Sequence, residues 1–323
     1  MNSAPRSLPS DRFSWLLILA MLGSFVAASA RDRFTIDVAR AVLPLAGLLL
    51  LAITAFVARR AGKRRLEAGA TAFLQMTLFT IIGVVLAYAL AARGGTPWDA
   101  RLAMADHALG FDWPILLASL DRMPPLVWVL GLAYHGLIAQ MILLIVALSH
   151  VGKLATLRIM VAAAILSGFA TIMVSAAVPA FGNLFDPAGF QHLWPSVAWT
   201  EIGLIAGLRD GSLRTLDLGA MMGIVTFPSF HATLSAIFIW AFRRVPRLAV
   251  PGSCCAVLTI AGTPVFGGHY GVDVIAGLLI APPAIVAARW LTSRSANDLF
   301  GKMPAVDIGS PGTREPEARY EVA

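Results

Sequence analysis

Residues 227–242 read FPSFHATLSAIFIWAF, and residues 267–290 read GGHYGVDVIAGLLIAPPAIVAARW. In each stretch a short polar motif opens directly into an apolar run that is typical of a membrane helix. The two motifs place His231, His269 and Asp273 where such helices meet water. An ionisable group at a membrane helix costs stability, so these three side chains are candidates for a functional site.

The composition of the whole chain indicates a membrane protein. Its 323 residues are 58% hydrophobic and 13% charged, and the mean hydropathy is +0.77. Soluble domains carry about 25% charged residues, so a water-soluble globular fold is disfavoured. The formal net charge of +7 does not indicate nucleic-acid binding, because the basic residues cluster in short loops such as Arg59–Arg65, as membrane orientation signals do.

Eight apolar runs predict about eight spans in an all-α, polytopic membrane helical bundle. The runs are Ser14–Ala30, Ala39–Ala58, Ala70–Ala92, Pro125–Leu148, Met160–Val178, Pro228–Phe242, Leu248–Gly267 and Val272–Trp290. The first is predicted to be a retained span, although Ala27–Ala30 (AASA) resembles a signal-peptidase site. The lysine and arginine bias places both termini in the cytoplasm and both motifs on the outer face. We therefore predict a bacterial-type inner (plasma) membrane protein with a periplasmic active site.

Three segments follow from this pattern. Residues 1–69 are predicted to be N-terminal spans, residues 70–291 a catalytic membrane domain, and residues 292–323 a flexible cytoplasmic tail. The outer stretch Arg93–Pro124 has apolar residues at helical spacing, which predicts interfacial amphipathic helices. Its aspartates fit a polar helix face better than a metal site; they are Asp99, Asp106 and Asp112. The second outer stretch, Pro179–Thr226, is either a functional lid or a solvated connector.

His269 and Asp273 stand four residues apart at the start of a predicted helix, which puts them on one face. The carboxylate can accept a proton from one imidazole nitrogen, which leaves the other nitrogen with a free lone pair. A histidine held in this way is a good nucleophile toward phosphorus. Such a pair also serves simply to brace a bundle, so the prediction depends on the second motif.

The second motif, FPSFH, is predicted to begin a helix, with Thr226 as the N-cap and Pro228 in the first turn. The free N–H groups and positive dipole end of that helix favour a bound phosphate, with Ser229 as an additional donor. His231 lies in the same turn and can protonate a departing alkoxide. Two imidazoles on either side of one phosphorus atom suit an in-line displacement.

Together the motifs resemble those of the type 2 phosphatidic acid phosphatase superfamily, and more narrowly its inositolphosphotransferase-like branch, to which inositol phosphorylceramide synthases belong. The resemblance covers residues 160–281 well and residues 98–148 loosely, and VPAFG (178–182) resembles the proline motif of that branch. It implies a six-helix core, a phosphohistidine at His269, orientation of that histidine by Asp273, and His231 as the leaving-group acid. It implies no metal and no cofactor.

The candidate substrate-binding residues are Ser229, Gly268, Tyr270, Pro179, Arg209 and Arg214. The two arginines are candidate replacements for cations that the superfamily supplies elsewhere, because no clear lysine–arginine motif precedes VPAFG and Gly262–Thr263 occupy the places of its Ser-Arg pair. Fewer fixed cations suit a phosphodiester better than a doubly charged monoester. This departure favours headgroup transfer over phosphatase action.

We therefore expect a membrane enzyme that transfers a phospho-headgroup from a lipid phosphate substrate to a lipid or another alcohol acceptor. One alternative is hydrolysis of phosphatidate or a polyprenyl diphosphate. An alternative of another class is a non-catalytic transporter or scaffold, although charges deep in the spans are scarce. Within Pro125–Leu148, His135 and Gln140 are expected to brace the core rather than to line a lipid groove.

Overall fold

The computed structural model of the chain describes residues 11–30 and 34–293. Within these residues the helices are α1 Arg12–Ser29, α2 Val38–Arg60, α3 Arg64–Ala91, α4 Asp99–Ala108, α5 Trp113–Asp121, α6 Pro124–His135, α7 Leu137–His150, α8 Leu154–Ala177, α9 Val197–Asp210, α10 Phe230–Phe242, α11 Ala249–Phe266 and α12 Gly271–Ser293. Two short strands, β1 Thr35–Ile36 and β2 Thr215–Leu216, and two 3₁₀ turns, Pro187–Gly189 and Pro246–Leu248, complete the described elements. The predicted all-α fold is confirmed.

Among the described helices, six are long and apolar enough to cross a membrane: α1, α2, α3, α8, α11 and α12. They account for six of the eight predicted spans. The other two predicted spans are built from shorter helices, because Gly136 separates α6 from α7 and α10 has only 13 residues. The chain turns by 109° between α5 and α6, which counts as a seventh span only if this bent pair is taken as one.

Two hydrogen bonds at opposite ends of α3 show which segments lie at each end of the bundle. At one end Arg65 Nη1 donates a hydrogen bond to the carbonyl oxygen of His150 at 3.0 Å. At the other end the Tyr88 hydroxyl donates to the carbonyl oxygen of Met222 at 3.0 Å. Because α3 runs between these two contacts, the Arg59–Arg65 loop and the FPSFH motif lie at opposite ends of the bundle. The arrangement is consistent with the predicted orientation, and the membrane side of each end stays a prediction.

Small residues on α8 allow close packing at the centre of the bundle. Residues 162–164 are all alanine and are almost completely buried. At Gly168 an added Cβ would collide with the ring of Phe79. That ring meets Phe230 edge-to-face with a centroid separation of 5.7 Å, a favourable geometry for an aromatic pair. Since Phe230 is the first residue of α10, this packing positions the helix that carries His231.

Helices α10 and α12 approach each other at their polar ends. The backbone of Gly277 lies against the carbonyl oxygen of Ser229, where a Cβ would collide. Thr233 Oγ1 donates to the carbonyl oxygen of Gly277 at 2.8 Å, and Ser229 N donates to the carbonyl oxygen of Asp273 at 3.0 Å. The two polar motifs are therefore connected directly through the backbone.

The stretch Arg93–Pro124 contains α4 and α5, so the prediction of helices there is confirmed. The predicted boundary between residues 69 and 70 falls inside α3. Of the predicted tail 292–323, only residues 292 and 293 belong to the described part of the chain.

A parallel strand pair joins the link between α1 and α2 to the loop that precedes FPSFH. Thr35 is in register with Thr215 and Ile36 with Leu216. Beside this pair, Arg40 at the start of α2 forms an ion pair with Asp217. The N-terminal segment, defined here as residues 34–37 and α2, is thereby attached to the wall of the site described next.

Candidate active site

His269 and Asp273 face each other at the start of α12. His269 Nδ1 lies 3.4 Å from Asp273 Oδ2, and the two side chains are only 5% and 0% exposed. The backbone N–H of Tyr270 donates to the same carboxylate oxygen at 2.9 Å, which fixes the carboxylate. A proton on Nδ1 is stabilised by this neighbour, so the lone pair is left on Nε2. The predicted proximity of the two residues is confirmed.

His231 lies in the first turn of α10, and the cap of that helix differs from the prediction. Ser229, rather than Thr226, is the N-cap, and its Oγ accepts a hydrogen bond from Ala232 N at 3.4 Å. Thr226 was the wrong choice because its hydroxyl donates instead to the carbonyl oxygen of Ala180 at 2.9 Å. That bond ties the FPSFH motif to the VPAFG stretch.

Both histidines line one cavity with a volume of about 270 Å³. Its other titratable lining residues are Tyr134, His135 and Glu201. The Tyr134 ring stacks on the His231 imidazole with a centroid separation of 4.5 Å and an interplanar angle of 19°. No lysine or arginine is among the described residues that line this cavity. Two imidazoles from separate helices therefore converge on a space that has no fixed cation on its walls.

Asp106 holds the start of α12 in place. Its two carboxylate oxygens accept hydrogen bonds from Gly271 N and Val272 N, both at 2.7 Å, and Trp113 Nε1 donates to one of them at 2.6 Å. A carboxylate is favourable at this position because it satisfies free N–H groups at the positive end of the helix dipole. The expectation that Asp106 merely belongs to a polar helix face was wrong, since the residue is only 1% exposed.

Asp99, about two turns before Asp106 on α4, plays a similar part for the neighbouring loops. Its carboxylate accepts from Phe181 N at 3.0 Å, from Gly182 N at 2.9 Å and from the Tyr270 hydroxyl at 3.2 Å. The remaining aspartate of this stretch, Asp112, is exposed and caps α5 through Ile115 N at 3.2 Å. Asp99 and Asp106 thus connect α4 to the VPAFG and HYGVD segments, and Asp112 does not.

We expect the substitution Asp106→Asn to destabilise the protein by about 2 kcal/mol, because the amide group cannot accept all three hydrogen bonds and loses the negative charge. A lower melting temperature in detergent, together with reduced lipid turnover, would show this effect. Asp112→Asn is the matched control, since Asp112 is an exposed helix cap and asparagine caps a helix about as well as aspartate does. Equal melting temperatures for the two variants would contradict the anchoring role of Asp106.

None of the six predicted substrate-binding residues lines the cavity. Ser229 is the buried cap of α10. Gly268 adopts a φ of +71° and packs against Ala198, where a Cβ would leave too little space. The Tyr270 hydroxyl is directed to Asp99 and to the carbonyl oxygen of Gly182, each at 3.2 Å. These three residues shape the backbone next to the histidines.

Pro179, Arg209 and Arg214 lie elsewhere. Pro179 and Arg209 line a separate cavity of about 40 Å³, and the Arg209 guanidinium lies 4.9 Å from the centroid of the Phe181 ring. Arg214 Nη1 donates to the carbonyl oxygens of Leu208 and Leu213, both at 2.8 Å. Neither arginine thus supplies a cation to the cavity that the histidines line.

Three cavity residues were missed or misjudged from the sequence. Gln140 braces the core as predicted, because its Nε2 donates to Thr259 Oγ1 at 2.9 Å. His135, for which the same role was expected, instead lines the cavity. Tyr134 and Glu201 were not considered at all. The available signal for Glu201 was its position as a single acid in the apolar segment VAWTEIGLIAGL.

Glu201 lies on α9, outside the candidate membrane spans, and is 5% exposed. Its Oε1 is buried and has no hydrogen-bond partner. Burial away from water disfavours the ionised form and raises the pKa of this carboxyl group to about 8. At neutral pH the side chain therefore offers a hydrogen-bond donor and an acceptor rather than a fixed negative charge.

A comparison with known families agrees with this geometry. The sequence profile of the PAP2 superfamily matches residues 100–287, a segment that contains His231, His269 and Asp273. No curated protein and no solved structure matches the chain significantly. The profile match supports a phosphatase-type lipid phosphoesterase at the general level. Because the match covers more than half of the chain and several of its helices are suited to span a bilayer, the chain belongs to the PAP2 superfamily as a multi-pass membrane protein.

Proposed function

We propose that the protein is a lipid phosphotransferase that moves a phospho-headgroup from a phosphodiester lipid to an alcohol acceptor through a phosphohistidine at His269. The observation that carries this proposal is the convergence of His231 and His269 on one cavity, with His269 paired to Asp273 at 3.4 Å. This arrangement provides a nucleophile and a proton donor for the two sides of one phosphorus atom.

In the first step Nε2 of His269 attacks the phosphorus atom and forms a P–N bond. The P–O bond to the diacylglycerol oxygen breaks, and the His231 imidazolium transfers its proton to that departing oxygen. Alkoxides are poor leaving groups, so this proton lowers the barrier. The negative charge of the bound phosphodiester stabilises the imidazolium in a buried site. Asp273 stabilises the positive charge that develops on His269.

In the second step an alcohol takes the place of the departed diacylglycerol. Neutral His231 accepts the hydroxyl proton while the alcohol oxygen attacks phosphorus, and the P–N bond breaks to restore His269. The same imidazole acts as acid in one step and as base in the other, as microscopic reversibility requires. Water in place of the alcohol gives hydrolysis.

The absence of lysine and arginine from the described cavity lining supports a singly charged phosphodiester as the substrate. A phosphate monoester or a diphosphate carries more negative charge and is usually bound by arginine or lysine side chains. This difference favours transfer, as in the inositolphosphotransferase-like branch that the motifs resemble, over hydrolysis of phosphatidate or a polyprenyl diphosphate. We further propose that the site faces the periplasm, since the basic loops lie at the opposite end of the bundle.

A headgroup-exchange assay tests the proposal. The purified protein is incubated with ³²P-labelled phosphatidylglycerol, phosphatidylethanolamine or phosphatidylinositol, with and without dioctanoylglycerol. Because the first step is reversible, the phosphoenzyme that forms when a donor loses its diacylglycerol must also react with dioctanoylglycerol. We expect a labelled short-chain lipid that forms only when dioctanoylglycerol is present. Release of inorganic phosphate from labelled phosphatidate, with no exchange from any phosphodiester lipid, would instead support the phosphatase.

A further inference from the structure

We propose that Glu201 binds the hydroxyl group of the acceptor alcohol and thereby makes the phosphoenzyme react with an alcohol in preference to water. The inference rests on the proposed function and names a role in its second step. It concerns a side chain that is only 5% exposed and lines the cavity of the two histidines. Its Oε1 atom has no hydrogen-bond partner.

The position of Glu201 is fixed by the start of α9. Ser196 caps this helix through Trp199 N at 3.3 Å. Ala198 N donates to the carbonyl oxygen of Gly267 at 3.3 Å, which ties the first turn to the segment that leads into His269. Glu201 lies three residues after Ala198, on the same face of the helix. Both residues line the cavity, so the carboxyl group is held at its wall by backbone contacts.

Glu201 shares its cavity with the histidine that faces the entering alcohol. Tyr134, His231 and Glu201 all line this cavity, and the Tyr134 ring stacks on His231. His269 is held from another direction by Asp273. In an in-line displacement the entering and leaving oxygens occupy the position opposite the nucleophile, which here is the position beside His231.

The chemistry of the side chain favours a hydroxyl group as its partner. A carboxyl group that is neutral at neutral pH can accept a hydrogen bond from an alcohol and donate one to it. A carboxyl group buried without a hydrogen-bond partner costs free energy, and a hydroxyl group that binds to it lowers that cost. Glu201 is an alcohol-binding residue in this scheme, and the proton of the reaction still passes to His231.

The test forms the ³²P-phosphoenzyme from a labelled nitrophenyl phosphodiester, whose leaving group is not an alkyl alcohol, and measures how it divides between dioctanoylglycerol and water in the wild type, Glu201→Gln and Glu201→Leu. Glutamine keeps a donor and an acceptor, so we expect its partition to stay within about threefold of the wild type. Leucine removes both, and we expect its kcat/KM for dioctanoylglycerol to fall by about 10-fold or more, while the rate of phosphoenzyme formation from the nitrophenyl donor changes little. With a donor that releases diacylglycerol, phosphoenzyme formation should fall together with alcohol transfer, because the two directions of that step share one transition state. Glu201→Ala replaces the leucine variant if the latter does not purify as a folded protein.

Glu67→Gln is the matched control, because this glutamate pairs with Arg59 at 3.9 Å at the opposite end of the bundle. An unchanged partition in Glu201→Leu, or an equal loss of alcohol transfer and of hydrolysis, would overturn the inference. A Glu201→Leu variant that no longer discriminates between ammonium-bearing and neutral donor headgroups, but still transfers to dioctanoylglycerol, would also overturn it. That result would show that Glu201 binds the donor. A wild-type protein that forms no phosphoenzyme would refute the proposed function itself, and the role of Glu201 with it.

Discussion

The substitution His269→Ala is expected to lower headgroup transfer by about 10⁴-fold and to abolish labelling of the protein by a ³²P-labelled donor lipid, because it removes the proposed nucleophile. The helices around His269 are held by Asp106, Gly277 and Ser229 and do not depend on its side chain. The variant should therefore purify as a folded protein. Acid-quenched labelling and exchange into dioctanoylglycerol provide the two measurements.

The control for this substitution is His107→Ala, which removes an exposed histidine of α4. We expect activity close to that of the wild type. Full turnover in His269→Ala, or a labelled phosphohistidine that maps to another residue, would refute the assignment of the nucleophile.

The second large effect is expected for His231→Ala, and it should depend on the leaving group. With a diacylglycerol leaving group, the rate of phosphoenzyme formation should fall by about 10²–10⁴-fold, because the departing alkoxide is not protonated. With a nitrophenyl phosphodiester the fall should be far smaller, since nitrophenolate leaves without a proton. Burst kinetics with both donors measure the difference.

An equal loss with both donors would instead indicate that His231 binds or positions the substrate. Tyr134→Phe is the appropriate companion variant, because it keeps the ring that stacks on His231 at 4.5 Å and removes only the hydroxyl. Its dependence on the leaving group should match that of the wild type.

The general architecture and the pairing of His269 with Asp273 were predictable because both depend on local sequence. Long apolar runs specify membrane helices. His269 lies just before α12 begins at Gly271, so its pairing with Asp273 follows from their short separation in the sequence rather than from the predicted shared helical face. The convergence of His231 with His269 was predictable only through the orientation argument, which brought both motifs to one end of the bundle. The contacts between Ser229, Thr233 and Gly277 that complete this convergence are tertiary and leave no periodic signal.

The residues that were misjudged depend on contacts between distant parts of the chain. Asp106 meets Gly271 across 165 positions, so its hydrogen bonds cannot be inferred from its own helix. His135 was assigned to the core because a polar residue in a predicted span can brace or line a cavity equally well. The N-cap was placed at Thr226 because threonine and serine both suit that position, and the bond from Thr226 to Ala180 arises only from the tertiary fold.

The contacts of the N-terminal segment determine how long a fragment of this protein must be to keep the cavity intact. The β1–β2 pairing and the Arg40–Asp217 ion pair hold the N-terminal segment against residues 215–217. The loop that contains these residues continues to the cavity wall, which it lines with Met222, Gly223 and Thr226. Tyr88, also outside the matched segment 100–287, both donates to and accepts from the backbone of Met222 at 3.0 Å. A fragment limited to residues 100–287 would lack the contacts that hold one wall of the cavity in place. The smallest unit that is active by itself is therefore expected to include α2 and α3.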